Sequence, residues 1–416
     1  KRVENAMTRL RKNEKGMILA IDMGNTNIVI GCVDDNGVLF EERLSTDFSK
    51  TELEYAIGFK TVLELYNIDS YDIKGAIMSS VVPQLSNIIK SAVEKTIGIS
   101  PLIVGPGIKT GLNILMDHPL RFHPTMQNHP RNYVQFCCDH NHVDYVRKYF
   151  SDTVYKVEFM PHAGTNRKEL CLDDYDSRPY DVLFSGTYYR PQSYLDQIDS
   201  AFKDNELLRV FYHNLAEYMI DNNSITTEQA VLDVIDMMEL SLAQEQVKQL
   251  FRFSEPIDWM ARMYYREKII SIIAEAGIDI WLLGRGWENH PSTELHNVHI
   301  INDRVPFADT LSVMEKAKIN LNVMPWFKAG THDRIFNILL SGSLPLTDSS
   351  KWLKEHFQDK KDIVYYKLDA CEEIPQLIKH YLDNSDEAKA IIQNGFDIVA
   401  DNYVWGNIVE QLIRNV

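Results

Sequence analysis

Two clusters of glycine, acidic and basic residues have the spacing of phosphate-binding turns. The first, Asp22-Met-Gly-Asn-Thr26, follows an apolar stretch, and such a turn presents backbone N–H groups to a phosphate while the acid holds hydrated Mg²⁺. The second, Gly330-Thr-His-Asp-Arg334, opens a predicted helix whose free N–H groups would face a diphosphate. Arg334 would add a bidentate charge to the same group. Spacing alone leaves open that the first cluster is only an Asn/Gly turn capped by Asp22, so the sequence offers two candidate phosphate sites.

The first cluster lies in a segment whose pattern predicts paired strands followed by alternating strands and helices. An Asn-Gly pair between the second and third strands is a hairpin signal. We expect an α/β lobe of the ribonuclease-H type, with Leu53, Ile57, Val62 and Leu65 on the inner side of the first helix. The predicted strands are Met17–Asp22, Ile28–Val33, Val38–Leu44, Ala76–Ser80 and Pro101–Val104, and the predicted helices are Thr51–Tyr66 and Pro83–Ile97.

The second cluster lies in a longer α/β segment. A strand–helix–strand unit is predicted at Tyr133–Cys137, His140–Phe150 and Val154–Phe159, and a further strand begins near Pro179. A helix-rich stretch follows to about residue 276. Strands and helices then alternate to the end of the chain. This pattern predicts a parallel, doubly wound sheet of the Rossmann type.

The composition is that of a globular protein with two or three domains: 416 residues, 45% hydrophobic and 25% charged. A formal net charge of −16 argues against a nucleic-acid partner, whose binders present basic surfaces. No apolar run approaches the roughly 20 residues that a membrane span needs. The five cysteines form no disulfide framework, which favours a reducing, cytoplasmic location. Residues 1–16 predict an unstructured extension before a natural start at Met17.

Residues 17–116 closely resemble the first half of type III pantothenate kinases, members of the actin-like phosphotransferase superfamily. The resemblance is carried by Asp22-Met-Gly-Asn-Thr26, Ser79-Ser-Val-Val-Pro83 and Gly107-Ile-Lys-Thr-Gly-Leu-Asn113. It implies ATP, Mg²⁺, a monovalent cation and the phosphorylation of pantothenate, the first step towards coenzyme A.

This resemblance also implies roles for single residues. After Asp117 the sequence departs from the family, whose Gly-Ala-Asp-Arg stretch, the source of the expected general base, and whose second lobe have no counterpart here. Phosphoryl transfer depends on positioning and electrostatic clamping, so we expect half a cleft to be inactive as a kinase. The implied residues are Asp22, Gly24, Asn25 and Thr26 for ATP phosphates, Asp22 for Mg²⁺ through water, and Lys109, Thr110 and Gly111 on the pantothenate side.

Residues 117–416 resemble the spore-maturation-type glycosyltransferases, which have two Rossmann domains. Four motifs carry the resemblance, and they imply a nucleotide-sugar donor, an acceptor and transfer without a metal. The motifs are Asp117-His-Pro-Leu-Arg-Phe-His123, Cys138-Asp-His-Asn-His-Val-Asp-Tyr-Val146, Leu283-Gly-Arg-Gly-Trp287 and Gly330-Thr-His-Asp-Arg-Ile-Phe-Asn-Ile-Leu-Leu-Ser-Gly-Ser-Leu-Pro-Leu-Thr-Asp348.

Donor-binding residues follow from these motifs, because ligands of doubly wound sheets lie beyond the carboxyl ends of the strands. A purely structural interpretation stays open, with Thr331 or Asp333 as a helix N-cap, Arg334 on a solvated face and Gly342 as a C-cap. The predicted donor residues are Gly284, Gly286, Val305, Gly330, Thr331, Arg334 and Asp348.

No catalytic residue is assigned, because the acceptor-side domain is reduced to about residues 117–178. Each surviving histidine is more consistent with a structural role than with that of a base. The histidines in question are His118, His123, His140, His142 and His162.

Three functions remain open: a glycosyltransferase-like transferase fused to a kinase lobe, a type III pantothenate kinase without its second lobe, and a non-catalytic chimera. The predicted domains are 1–16, 17–116 (an incomplete actin-like lobe), 117–178 (an acceptor-side remnant) and 179–416 (the donor domain). The sequence identifies neither donor nor acceptor, and it leaves a homodimer open.

Overall fold

The computed structural model describes residues 16–23, 27–34, 37–80, 83–104, 134–165, 169–301, 305 and 307–408. The chain divides into two compact units, residues 1–110 and 111–416. The predicted seam at Asp117 lies outside the described residues, and the finer domain bounds stay predictions. Among the helices that the structure describes, none has both the length and the apolar character that a bilayer crossing requires.

The first unit is a five-stranded sheet with two helices packed on one face. The strands lie in the order β3-β2-β1-β4-β5, in which β1 to β3 form an antiparallel meander and β4 and β5 run parallel to β1. This is the predicted ribonuclease-H-type arrangement. The elements are β1 (Met17–Met23), β2 (Asn27–Asp34), β3 (Gly37–Ser45), α1 (Glu52–Leu65), β4 (Ile73–Ser80), α2 (Pro83–Ile97) and β5 (Leu102–Val104).

The inner side of α1 differs from the sequence prediction. Leu53, Ile57 and Leu65 are exposed, whereas Tyr55 and Phe59 are buried against the sheet. Two aromatic rings bury more apolar area than the aliphatic side chains would, and the Tyr55 hydroxyl also donates to the Asp47 carbonyl at 2.8 Å. Aromatic burial therefore sets the orientation of this helix, although the predicted Val62 is buried as expected.

The second unit contains a six-stranded, all-parallel sheet in the order β10-β9-β8-β11-β12-β13. The chain leaves β8 towards β9 and β10, then returns to the other side of β8 with β11. The predicted doubly wound sheet is thus confirmed, and its topological switch point lies between β8 and β11. The strands are β8 (Tyr180–Ser185), β9 (Ile280–Leu283), β10 (Val298–Ile301), β11 (Ala317–Asn322), β12 (Leu344–Asp348) and β13 (Val364–Tyr366).

Helices surround this sheet, and those between β8 and β9 form a helical insert of their own. Residues 405–408 are also helical, and the rest of the predicted final helix lies outside the described residues. The insert consists of α4 (Gln192–Ala201), α5 (Glu206–Asp221), α6 (Thr227–Met237), α7 (Gln244–Phe253) and α8 (Glu255–Glu275). The later helices are α9 (Phe307–Met314), α10 (Asp333–Leu340), α11 (Lys351–His356), α12 (Ile374–Asp383) and α13 (Ser385–Asn402).

A small β–α–β element precedes the sheet in the same unit. It comprises β6 (Val134–Cys137), α3 (His140–Tyr149) and β7 (Lys156–Phe159), with β6 parallel to β7, as the sequence predicts. Its apolar side joins one core with the helical insert, where Tyr145 packs edge-on against Phe251. This element therefore has a packed partner within its own unit.

Candidate functional site

A cavity of about 240 Å³ opens at the topological switch point of the second unit. It lies beyond the carboxyl ends of β8, β9 and β11, where doubly wound sheets bind their ligands. We call it the switch-point cavity. It is lined by Ser185, Gly186, Thr187, Leu283, Gly284, Val305, Thr310, Leu311, Met314, His332, Asp333, Arg334 and Asn337.

The glycines after β9 are required by backbone packing. Gly284 has a φ of 135°, and a Cβ atom there would overlap the Gly186 carbonyl oxygen. Gly286 has a φ of 85°, and its Cβ would overlap the Tyr188 carbonyl oxygen. Gly284 lines the cavity, whereas Gly286 does not, so these glycines bring the loops after β8 and β9 together at its rim.

Arg334 lies in the first turn of α10 and forms part of the cavity wall. Its Nη1 donates to Asn322 Oδ1 at 2.8 Å, and its guanidinium lies 5.6 Å from the centre of the Phe184 ring. Burial lowers the pKa of Arg334, and the nearby Asp333 and Asp348 oppose that change. The side chain is thus a fixed cation at the carboxyl edge of the sheet.

Arg266, on helix α8 of the insert, provides a second cation behind the same wall. It is 4% exposed, and its Nη1 donates to the carbonyl of the cavity residue Thr187 at 2.5 Å. Its Nε is buried without a hydrogen-bond partner in the described part of the chain. Burial, and then the charges of Arg334 and Arg262, lower the pKa of Arg266 well below its usual range.

Arg262, one helical turn earlier, has a different environment. Its Nε lies 2.5 Å from Asp258 Oδ2, and its guanidinium lies between the Trp259 and Trp326 rings at 4.6 and 4.2 Å. Arg262 therefore has a counter-ion, whereas the residues that shift the pKa of Arg266 include no carboxylate. Arg266 is therefore a buried cation that no neighbouring carboxylate neutralises among the residues that shift its pKa, which is an arrangement suited to an anionic ligand.

A histidine–aspartate pair borders the cavity at the start of α10. His332 Nδ1 lies 2.5 Å from Asp333 Oδ1, and the backbone N–H of Arg334 points to the same ring nitrogen at 3.2 Å. Burial alone would raise the pKa of Asp333, but His332, with His162 and Arg334, lowers it well below its usual range. The first turn of this helix is therefore already capped by side chains.

Of the five histidines predicted as candidate bases, His162 is the one that the structure places beside this pair. Its ring centre lies 5.6 Å from that of His332. His140 instead stacks on Phe159, and His142 is buried. His118 and His123 lie outside the described residues.

Four predicted donor residues do not line the cavity: Gly286, described above, and Gly330, Thr331 and Asp348. Gly330 and Thr331 contact the β–α–β element, where the Thr331 N–H donates to the Cys138 carbonyl at 3.4 Å. Asp348, at the end of β12, lines a neighbouring cavity. The structure thus brings Gly284, Val305 and Arg334 together, and the ligand roles of all seven residues stay predictions.

The first unit places Asp22 at the carboxyl end of β1, in register with Ser79 of β4. Asp22 is exposed and borders a cavity of about 320 Å³ with mainly apolar neighbours such as Val29 and Ile77. A single carboxylate suits hydrated Mg²⁺ that a nucleotide also binds, but not a site formed by protein ligands alone. The other predicted residues, Gly24, Asn25, Thr26, Lys109, Thr110 and Gly111, lie outside the described residues.

Two family models match the chain, each in its own segment. Residues 18–122 match type III pantothenate kinase, and residues 266–414 match a family described as glycosyl transferase-like. The predicted composite of two families is therefore confirmed, and the kinase match ends close to the predicted seam at Asp117.

The curated relatives match the first segment. Type III pantothenate kinase of Finegoldia magna is 50% identical over 96 residues, which cover 23% of this chain and 37% of that protein. The same enzyme of Bifidobacterium animalis subsp. lactis is 46% identical over 103 residues, which cover 25% of this chain and 41% of that protein. The chain thus spans about two fifths of the length of these relatives.

Solved structures similar to the chain are glycosyltransferases at low similarity. A glycosyltransferase from Rickettsia africae ESF-5 has a TM-score of 0.39 and 11% identity, covering 89% of this chain and 83% of that chain. HepE of Anabaena in complex with UDP and glucose has a TM-score of 0.36 and 11% identity, covering 89% of this chain and 97% of that chain. The fold assignment therefore rests on the strand order itself.

Proposed function

We propose that the second unit binds a nucleoside diphosphate-sugar in the switch-point cavity and transfers its sugar to an acceptor. The carrying observation is a pair of cations: Arg334, which lines the cavity, and Arg266, which lies behind its wall and donates to the Thr187 carbonyl. The Nε of Arg266 is buried with no hydrogen-bond partner among the described residues, and no carboxylate is among the residues that shift its pKa. A diphosphate would supply the missing negative charge. The match of residues 266–414 to the glycosyl transferase-like family supports the same ligand class.

The chemistry follows from where the charge develops. When a sugar leaves a nucleotide, negative charge accumulates on the departing diphosphate, and preorganised cations lower the barrier by stabilising it. Two guanidinium groups can do this without a metal. The buried hydroxyl of Ser185, which has no hydrogen-bond partner among the described residues, provides a further donor at the cavity.

The acceptor side of the reaction has one candidate base. His162 lies beside His332, which lines the cavity, and belongs to the loop after β7, on the predicted acceptor-side element. An imidazole near a carboxylate is a suitable general base at neutral pH. The identity of the acceptor and of the sugar is left to the experiment.

The test is calorimetric titration of the purified chain with UDP, UDP-glucose and GDP. We expect Arg334→Met to weaken diphosphate binding tenfold to a hundredfold, because a charge-assisted hydrogen bond contributes about 1.5–3 kcal/mol. Arg252→Met is the matched control, since Arg252 is exposed on α7 and does not line the cavity. Thermal unfolding of each variant verifies that it is folded.

Two outcomes contradict the proposal. One is that the folded wild-type chain binds none of these nucleotides at millimolar concentration. The other is that Arg334→Met and Arg266→Met both bind as the wild type does. If binding holds, release of sugar or of UDP from UDP-glucose, with and without His162→Gln, tests turnover and the base separately.

ATP binding by the first unit is a separate proposal with its own titration. We propose that Asp22 holds hydrated Mg²⁺ together with ATP phosphates, with a monovalent cation and pantothenate as the further ligands that the resemblance implies. Asp22→Asn is expected to abolish any Mg²⁺-dependent part of ATP binding. Equal ATP affinity with Mg²⁺ and with EDTA would exclude a metal role for Asp22.

A further inference from the structure

A second cavity, of about 620 Å³, lies at the carboxyl ends of β11, β12 and β13. Its walls are the loops after these strands, and Asn223 and Ser224 of the helical insert close one side. It has no lining residue in common with the switch-point cavity. Its size is within the usual range for small-molecule sites.

Lysines dominate the wall of this cavity, which we call the lysine cavity. Four lysines, Lys328, Lys351, Lys354 and Lys367, face three acids, Asp348, Glu355 and Asp369. Lys351 approaches Glu355 at 4.0 Å. Within the described part of the chain, the other three lysines have no carboxylate within 4.0 Å. Burial lowers the pKa of Lys328 to about 8, and the charge of Asp348 opposes this, so Lys354 and Lys367 are the ammonium groups most available to an anion.

The floor of the lysine cavity carries one buried carboxyl group, that of Asp348. Asp348 is 3% exposed, and its Oδ1 accepts from the Met324 N–H at 2.7 Å and from the Tyr366 hydroxyl at 3.4 Å. Burial raises the pKa of Asp348 to about 6, although Lys328 and the hydrogen bonds oppose this. At neutral pH this group is still mostly ionised, and it takes up its proton only as the pH falls through 6, so the cavity attracts an anion more strongly below that pH.

Lys328 lies beside this floor and holds the two walls together. Its Nζ donates to the Asn223 carbonyl of the insert, and its backbone N–H donates to Asp139 Oδ2 at 2.9 Å. These bonds fix the side chain at the point where the insert meets the loop after β11. The ammonium group is thus preorganised, and a bound anion would not have to order it.

We propose that the lysine cavity binds a small phosphorylated molecule that carries no aromatic base. Lysine ammonium groups bind phosphate oxygens as point charges. Phe327 and Tyr366, the aromatic residues of the lining, are 1% and 3% exposed, so they offer no open ring on which a base could stack. A sugar phosphate has the required charge and size.

The experiment titrates glucose 6-phosphate into the full chain, with glucose as the uncharged comparator and UDP as the comparator for the switch-point cavity. The test variant is Lys354→Gln with Lys367→Gln, two exposed side chains whose loss should leave the fold intact. The matched control is Lys203→Gln with Lys379→Gln, which removes the same charge from exposed positions elsewhere on this unit. Thermal unfolding verifies the fold of both.

We expect glucose 6-phosphate to bind with the same affinity whether or not UDP is present, and at least tenfold more weakly to the test variant than to the control. Three results would overturn the inference: no binding to the folded wild type at millimolar concentration, an equal loss in the control, or displacement by UDP. Because UDP binding is measured in the same samples, failure here is distinguishable from failure of the proposed transferase site.

Discussion

Gly330 lies so close to the main chain of Cys138 that a Cβ atom on Gly330 would overlap the Cys138 carbonyl oxygen and come within 2.6 Å of Asp139 Cα. The two segments also form an antiparallel bridge between Asp139 and Gly330, and Asp139 Oδ2 accepts from the Ala329 N–H at 2.9 Å. The β–α–β element and the loop before α10 are therefore docked through their backbones, which requires glycine at this position.

Gly330→Ala is expected to destabilise the second unit by about 2–4 kcal/mol, because neither backbone can move without breaking the bridge. Intrinsic fluorescence during urea unfolding measures this change, since all tryptophans of the chain belong to the second unit. They are Trp259, Trp281, Trp287, Trp326, Trp352 and Trp405.

Gly58→Ala is the control for this prediction. A Cβ atom on Gly58 would meet only Leu44 Cδ1, at an ordinary 3.8 Å, and alanine is the better helix former within α1. The fluorescence transition should be unchanged in this variant. A Gly330→Ala protein as stable as the wild type would mean that the docking seen at Cys138 contributes little.

The sequence predicted the elements of this fold well, because local periodicity and turn residues determine them. Helix α2 has the predicted ends, Pro83 and Ile97, and the parallel sheet follows from the alternation of strands and helices. The prediction of the buried side of α1 was wrong. Periodicity alone does not show whether the side with Leu53 or the side with Tyr55 buries more apolar area.

The candidate site was harder to predict, because its residues meet only through tertiary packing. Arg334 and Gly284 could be proposed from strand ends and glycine turns. Arg266 lies in the middle of a long helix without a motif, and only the docking of that helix brings it to Thr187. Asp348 was predicted to bind the donor, but it ends β12 and lines a neighbouring cavity. The sequence signal that could have pointed to Arg266 is a pair of arginines, Arg262 and Arg266, one helical turn apart in the same helix.

Substitution by methionine should lower the stability of the protein strongly at Arg262 but hardly at all at Arg266. Arg262→Met leaves Asp258 buried without its partner, so we expect a loss of about 3–5 kcal/mol in the free energy of unfolding. Arg266→Met removes a buried charge that lies next to two like charges, which offsets the lost bond to Thr187. We therefore expect its stability to change by less than about 1 kcal/mol.

The two variants also separate stability from ligand binding. Titration with UDP should show at least tenfold weaker binding to Arg266→Met, although that protein is as stable as the wild type. A strongly destabilised Arg266→Met protein would show that the arginine serves the fold instead of a ligand. Urea unfolding and calorimetry on the same preparation give both quantities.

His290 should make the second unit sensitive to acid. It is 2% exposed, and burial lowers its pKa to about 4 from an ordinary value near 6.5. The unfolded chain therefore binds more protons than the folded chain between these values, and stability is lost as the pH falls through that window. The shift corresponds to about 3 kcal/mol. His290→Gln should remove this loss, whereas exposed His296→Gln should not.

The contribution of Asp348 to stability should change with pH in the direction opposite to that of His290, over nearly the same pH range. Its folded-state pKa of about 6 lies above the unfolded value of 3.8, so the folded chain binds the extra proton. Its stabilising contribution is complete below pH 4 and is lost as the pH rises through 6. Asp348→Asn keeps an oxygen acceptor for the Met324 N–H and should gain about 3 kcal/mol over the wild type between pH 4 and 7.

Urea unfolding of the wild type, Asp348→Asn and His290→Gln across this range separates the two effects, which partly cancel in the wild type. A stability difference between Asp348→Asn and the wild type that does not depend on pH would mean that Asp348 titrates normally. The floor of the lysine cavity would then keep its negative charge down to about pH 4. Phosphate binding there would depend on the lysines alone, and Lys328, which lies beside Asp348, would be the first of them to substitute.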